Sequence, residues 1–442
     1  MWTSMQQEII DRDSGNTVVV ASPGSGKTTV LTQHIVHQLN RQTITAKHAM
    51  LITYTRQAAK EMRDRLSPSL CAIPRNFQAL RIGTFHSEAF HMLLEQHIKV
   101  PPILGTQEQY QLFRQILREE GLAQPHHVTQ LGQALTLAKS TWPIGTLEKR
   151  YRSAAARYEV MKRRLNRWDY DDILIVFCEH LMRGVPQSEA VQYLLVDEFQ
   201  DTNQIQWTII QAFRALWNTR LFVVGDDDQS IYSFRGGNPK WLHAASMSAD
   251  DTETFMLTRN FRSDRLIVRT AANLIGLNRQ RIGKVFEVNS EREGSAVCTL
   301  WKSESAEASG VSSLLGSLTR KEPEWSVGVL ARTRQQLLAA WAAYGQESAR
   351  GRIEWQTFHG AKGKEWDAVI VIGALADNPY LRDSILDLEE ERRLFYVAMT
   401  RARHALWVSC SSQTKYGRSS MTPFVAESAL QVEAPDNWCL AP

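Results

Sequence analysis

The chain has 442 residues, 43% of them hydrophobic, and a formal net charge of only +4. That length predicts two or more domains, and so small a charge does not by itself announce a nucleic-acid partner. The five cysteines (Cys71, Cys178, Cys298, Cys410, Cys439) are scattered without a C-x-x-C pair, which argues against zinc, an iron–sulfur cluster or a disulfide framework and fits a reducing, cytoplasmic setting.

The N-terminus, "MWTSMQQEIIDRD", is not a signal peptide, no apolar run is long enough to span a bilayer, and no repeats or low-complexity tracts occur. The first strong signal is "VVVASPGSGKTTVL", Val18 to Leu31. Three valines suit a buried parallel strand, Pro23 to Gly26 break it, and Val30, Leu31, Ile35 and Leu39 share one face of a following helix. A strand, a glycine turn and a helix N-terminus gather backbone N–H groups into an anion cradle. Lys27 adds a charge for the β- and γ-phosphates, and Thr28 a hydroxyl for Mg²⁺. The strict phosphate-loop pattern asks for glycine where Ala21 stands, so an ordinary glycine turn is the competing reading.

Further short apolar strands follow in "AMLITYT", "ALRIGTF", "YLLVDE" and "RLFVVGD", separated by helical stretches, as in a parallel sheet covered by helices. From Phe90 to Asn166 no strand is evident, and a helical insertion is expected. The basic run "MKRRLNR", Met161 to Arg167, reads as a solvated helix face. Asp197 and Glu198 end an apolar strand, where ligands of open α/β sheets bind, and suit Mg²⁺ binding and activation of a water. "VVGDDDQSIYSFRGG" brings Gln229 to the same edge as a sensor of the γ-phosphate, while Tyr232 and Phe234 beside Arg235 suit either stacking on unpaired bases or packing in the core. A second block of strands reads "ETFMLT", "SAVCTLW", "WSVGVLA", "AVIVIGA" and "ALWVSC", with the acidic "MSADDT" as the hinge before it.

Taken together these motifs resemble the superfamily 1A helicases of the UvrD, Rep and PcrA type, from about Ser4 to Cys410. In that family the phosphate loop commonly carries alanine at the first position, so Ala21 fits. The resemblance implies two RecA-like P-loop domains of α/β fold: a first (1A) at 1–88 and 167–250, a helical insertion (1B) at 89–166, a second (2A) at 251–425, and a C-terminal tail at 426–442. It implies ATP and Mg²⁺ as cofactors. Gln6 then reads the adenine edge; Gly24, Ser25, Gly26, Lys27, Thr28 and Thr29 form the phosphate loop; Asp197 and Thr28 hold the metal; Glu198 is the general base and Gln229 the γ-phosphate sensor. Phe261 stacks on adenine, Glu365 meets the ribose, and Arg262 and Arg401 are arginine fingers that stabilise the transferred phosphoryl group. Thr53, Thr55, Thr84, Phe85, His86, Tyr232, Phe234, Thr357 and His359 are the implied DNA contacts, and "WDYDDIL", from Trp168, matches a family element just before the acidic strand. Departures are Phe261 for the usual Tyr, Phe234 for Trp, Lys364 for Leu and Trp366 for Phe, none of which removes a catalytic group.

The interval between Ser263 and Thr357 is already filled by predicted strands and helices, with "GQESARGR", Gly345 to Arg352, left as connector. The accessory domain called 2B in larger relatives is therefore expected to be absent. A compact motor of this kind is similar to the helicase subunits (GajB) of the Gabija antiphage system, whose partner is an OLD-family nuclease with a Toprim domain. The activity implied is that of a 3′-to-5′ DNA translocase or helicase, in which ATP hydrolysis drives movement on single-stranded DNA or unwinding at junctions with duplex. The alternatives are a DNA-end or single-strand sensor whose ATP cycle gates a nuclease, and an unrelated P-loop kinase or GTPase. The paired arginine motifs oppose the last.

Overall fold

The computed structural model describes residues 2–71, 79–184, 190–248, 251–344, 352–376, 385–414 and 417–435. Two compact units emerge, residues 1–21 with 27–257, and residues 22–26 with 258–442.

The first unit is built on a six-stranded sheet of order β3-β2-β4-β5-β1-β6. Its strands are β1 (Asn16–Ala21), β2 (Ala49–Ile52), β3 (Arg81–Gly83), β4 (Tyr193–Val196), β5 (Arg220–Gly225) and β6 (Thr252–Leu257). Every pairing is parallel. The central strands are buried along nearly their whole length, which is why they read as continuous apolar runs rather than alternating ones. Helices α1 (Ser4–Asp11), α2 (Lys27–Asn40), α3 (Arg56–Cys71) and α4 (Phe85–Glu95) come from the first stretch of chain. A core of Val19, Leu31, Ile35, Leu51, Leu195 and Phe222 joins the sheet to α2.

Between β3 and β4 lies the helical insertion. Helices α5 (Thr106–Glu119), α6 (Pro125–Lys139) and α7 (Arg152–Arg164) enclose their own core of Phe113, Leu117, Leu131, Tyr151 and Tyr158. Helix α8 (Asp172–Met182) then returns the chain to the sheet, packing on α4 and on α9 (Gln204–Trp217). Helix α9 opens with a capping box between Asn203 and Gln206 and stops at Asn218, whose φ of 53° is left-handed. Helix α10 (Lys240–Ser246) leads into β6.

The second unit begins with a small parallel pair, β7 (Arg259–Asn260) and β8 (Glu287–Val288). Its main sheet has six parallel strands in the order β11-β10-β12-β13-β9-β16. These are β9 (Ser295–Trp301), β10 (Val327–Ala331), β11 (Ile353–Thr357), β12 (Trp366–Ile372), β13 (Ala402–Ser411) and β16 (Gln431–Glu433), with β14 (Gln413–Thr414) and β15 (Gly417–Arg418) forming a separate hairpin. Helices α11 (Arg265–Ile275), α12 (Glu304–Lys321), α13 (Arg334–Tyr344), α14 (Ile385–Met399) and α15 (Pro423–Glu427) complete it.

Three expectations are corrected. "ETFMLT" does not open the second sheet; it is β6, paired with β1 from Asn16 opposite Thr252 to Ala21 opposite Leu257. Its first half is solvent-facing, as suits an edge strand, and the Asp251 carbonyl accepts from the Asn16 N–H at 2.8 Å. The acidic stretch, of which 249–250 lie outside the described residues, precedes β6, and the first unit runs on to Leu257. The segment expected as a tail supplies β16 to the second sheet, while 436–442 lie outside the described residues. Strand β11 is an addition to the expected set; it lies beside the "GQESARGR" connector, of which 345–351 also lie outside the described residues.

Candidate active site and nucleic-acid interface

The carboxyl ends of β1, β4 and β5 adjoin in the first sheet. Ala21 ends β1 and is fully buried, so it needs small size rather than glycine's freedom. That freedom is used at Gly24 and Gly26, whose φ values are 67° and 86°. Residues 22–26 group with the second unit: the Gly24 carbonyl accepts from the Phe261 N–H and the Pro23 carbonyl from Asn260 Nδ2, both at 2.9 Å. Ser25 is buried, its hydroxyl donating to the Ser22 carbonyl at 2.8 Å.

Lys27 opens α2 with Nζ 3.7 Å from Asp226 Oδ2. Thr28 Oγ1 donates to Asp197 Oδ2 at 3.2 Å. Two oxygens held side by side on an octahedral Mg²⁺ lie about 3 Å apart, so Thr28 and Asp197 fit such an ion. Burial, assisted by the neighbouring Glu198 charge, pushes the Asp197 carboxyl up to about 6, while Lys27 opposes that shift. A cation at this point would restore the charged form.

Glu198 has φ 51° and ψ 43°, the left-handed region. For a residue with a side chain this strain costs about 1–3 kcal/mol and collects at functional positions. It turns the chain from β4 into a 3₁₀ turn over Phe199–Asp201, and the Glu198 carboxylate accepts from Gln200 Nε2 at 2.5 Å. Gln200 Oε1 accepts from the Asp226 N–H at 2.8 Å, and Gln229 Nε2 donates to Asp226 Oδ2 at 2.5 Å. A hydrogen-bond chain therefore links Glu198 to Gln229 across β4 and β5. Gln200 is the member that residue-by-residue reading missed. Gln6 is buried on α1, its Oε1 accepting from the Thr3 N–H in a capping box. Thr29 lies in the first turn of α2.

In the second unit, Arg262 Nε pairs with Glu365 Oε2 at 2.6 Å, and its Nη1 donates to the Thr400 carbonyl at 3.2 Å. Arg403 also pairs with Glu365. Although burial alone would raise it, these two guanidinium groups hold the Glu365 carboxyl below its usual range. Arg401 is buried and donates to the Val397 carbonyl at 2.9 Å. Arg262, Glu365 and Arg401 thus gather at one place, and Phe261 is 45% exposed, leaving its ring open to stacking.

The candidate DNA contacts divide by chemistry. Thr53 is buried, its hydroxyl donating to the Thr55 carbonyl at 3.1 Å. Thr55 Oγ1 accepts from the Ala58 N–H, Thr84 Oγ1 from the Ser87 N–H, and Thr357 Oγ1 from the Gly360 N–H. These threonines shape turns at strand ends, and Phe85 opens α4 while His359 opens a 3₁₀ turn over His359–Ala361. The aromatic residues are brought together. Tyr54, absent from the sequence-based set, stacks on Tyr232 with centroids 4.6 Å apart and planes at 20°, and Phe234 lies 5.9 Å from Tyr232. The Arg235 guanidinium sits 6.0 Å from the Tyr232 ring and 5.7 Å from that of Phe234.

A second aromatic site surrounds His86. It stacks on Tyr170 at 4.7 Å, and Arg56 Nη2 donates to the Tyr170 hydroxyl at 2.7 Å. Burial, followed by the charges of Arg235 and Arg56, lowers His86 from 6.5 to about 4, so it is neutral at pH 7. Arg56, Arg63, Thr84, His86, His91 and Tyr170 help line a cavity of about 530 Å³. Among the described residues no helix is long and apolar enough to cross a membrane.

Residues 2–250 match the family model described as the UvrD/REP helicase N-terminal domain, and residues 342–413 that of the UvrD-like helicase C-terminal domain. The chain is 30% identical to "ATP-dependent DNA helicase Rep" of Escherichia coli over 62% of its own length and 43% of that protein. It is 29% identical to "DNA helicase II" of Haemophilus influenzae over 65% of its length and 42% of that protein. A "Probable DNA helicase" of Mycoplasma pneumoniae is 28% identical over 91% of this chain and 82% of the relative. The chain thus spans less than half of the first two relatives.

Proposed function

The chain belongs to the UvrD/Rep helicase family, and on that premise we propose that it is a DNA-dependent ATPase that moves 3′ to 5′ along single-stranded DNA or into junctions with duplex. One observation carries the reading. The glycine turn before Lys27, the acid pair and Gln229 stand at strand ends of the sheet that also carries an aromatic cluster, with Tyr54 and Tyr232 half-buried and Phe234 exposed.

In this account Lys27, the loop N–H groups, Arg262 and Arg401 meet the charge that spreads over the phosphoryl oxygens. Thr28 and Asp197 hold Mg²⁺, which neutralises phosphate charge when bound. Glu198 takes the proton of the attacking water, and Gln200 orients it. Gln229 reports the γ-phosphate, Phe261 and Gln6 bind the adenine, and Glu365 the ribose. Tyr54, Tyr232 and Phe234 hold bases by stacking, which tolerates any sequence. The Glu198–Gln200–Asp226–Gln229 chain lets the nucleotide state reach the segment that carries Tyr232.

The finer reading is a cytoplasmic motor without the accessory 2B domain, working with a nuclease of the OLD (Toprim) type as in the Gabija antiviral system. What supports the absence of 2B is that residues 264–344 are taken up by elements of the second unit; the nuclease partner rests on the resemblance alone. In such a complex the same ATP cycle serves equally as a sensor of DNA ends that gates cleavage. Displacement of streptavidin from biotinylated oligonucleotides tests the motor. ATP-dependent release from the 5′ end alone is expected; release from the 3′ end, or none while DNA still stimulates hydrolysis, contradicts 3′-to-5′ translocation.

A further inference from the structure

Two lysines of the helical insertion end in a nest of carboxylates. Lys139, the last residue of α6, has Nζ 2.6 Å from Asp169, 2.9 Å from Asp172 and 2.7 Å from Glu159. Lys162, on α7, has Nζ 2.9 Å from Asp169, 2.6 Å from Asp172 and 2.9 Å from Glu159. Both lysine side chains are all but buried, at 5% and 3% exposure. Asp169 and Asp172 each accept the other's backbone N–H, at 3.1 and 2.9 Å, and so start α8. The network therefore fastens α6 and α7 of the insertion to the helix that packs on the parallel sheet's own layer.

The segment just after α6 reaches the aromatic cluster. The Ser140 carbonyl accepts from the Ile205 N–H at 2.9 Å, and the Trp142 carbonyl from Gln204 Nε2 at 3.3 Å. The turn Ser233–Gly236 rests on Ser140. Gly236 has φ 81°, and a Cβ there would overlap Ser140 Oγ. Only glycine permits both the conformation and the approach. That turn carries Phe234 and directly follows Tyr232.

Buried charges are poor stabilisers, since well-packed apolar groups of like volume often do better. What such a network supplies is a fixed geometry. We propose that Lys139 and Lys162 are positioning residues for DNA engagement, the ion network fixing the end of α6 and, through Ser140 and Gly236, the turn that presents Tyr232 and Phe234. This rests on reading those aromatics as base contacts.

The test uses Lys139→Met with Asp172→Asn, which removes one charge of each sign. Hydrolysis is measured against oligo(dT) and against ATP concentration, with melting temperature as the control for folding. The DNA-free rate and the KM for ATP stay within about twofold, while the oligo(dT) concentration for half-maximal stimulation rises about tenfold. Lys139→Arg recovers most of the response. Gly236→Ala, which leaves the ions intact, produces the same DNA-specific shift. A folded double variant with wild-type DNA response overturns the proposal, as does an unchanged response in Gly236→Ala, which decides alone if the double variant does not fold. If Tyr232→Ala with Phe234→Ala leaves the DNA response unchanged, the base-stacking reading itself fails, and the proposal with it.

Discussion

At the scale of single residues, the chemistry turns on a few side chains whose surroundings differ sharply. Lys27 faces Asp226, while Glu198 is held in a strained backbone state beside Gln200. Lys27→Ala should lower ATP turnover roughly 10²–10³-fold, the loss expected for one preorganised positive group. Glu198→Gln should keep ATP binding and lower hydrolysis by about 10²–10⁴-fold, as for removal of a general base; a binding assay beside a turnover assay separates the two variants. Near-normal turnover in Glu198→Gln would move the base elsewhere. Tyr54→Ala should weaken the DNA response more than the DNA-free rate, by about 1–3 kcal/mol of lost stacking, and an equal loss in both would return Tyr54 to the core. The candidate catalytic residues could be picked out because each motif places a residue type near a strand end. Tyr54 and Gln200 were not, because their partners Tyr232 and Asp226 lie far away in the chain and only the sheet order joins them.

At the scale of elements, buried polar pairs hold helices to the sheet. His34 on α2 donates from Nδ1 towards the carbonyls of Ile9 and Ile10 at 3.0 and 3.1 Å, and Nε2 accepts from the Tyr193 hydroxyl at 2.5 Å. It thereby ties α1, which carries Gln6, to α2 and β4. Burial lowers His34 from 6.5 to about 3. The unfolded chain then takes up a proton below pH 6.5 that the folded protein refuses until about 3, so this contribution to stability is complete above 6.5 and is lost as pH falls through that window. Melting temperature should fall from pH 7 towards 4, and His34→Gln should flatten the fall; equal slopes would contradict it. Element identity was readable from apolar runs and turn residues. Element membership was not: β6 and β16 carry short, half-exposed edge patterns that do not say which sheet they join.

At the scale of the whole molecule, Thr28 and Asp197 belong to one parallel-sheet unit and the Arg262–Glu365 pair to the other. The two parallel sheets were visible as two blocks of strands, and the two family models match residues 2–250 and 342–413. What the motifs do not encode is how the helical insertion is fastened: Asp169 and Asp172 lie in "WDYDDIL", but their lysine partners Lys139 and Lys162 look like ordinary surface charges until they are found paired with them, all but buried. The most direct measurement is ATP hydrolysis by the purified chain with and without single-stranded DNA, with Lys27→Ala beside it. DNA should raise hydrolysis at least about tenfold, in line with a coupling of a few kcal/mol between sites, and the Lys27 variant should lack this hydrolysis. Folded protein whose turnover ignores DNA, or a Lys27→Ala chain that still responds to it, would contradict the claim that one sheet edge couples ATP to a single strand.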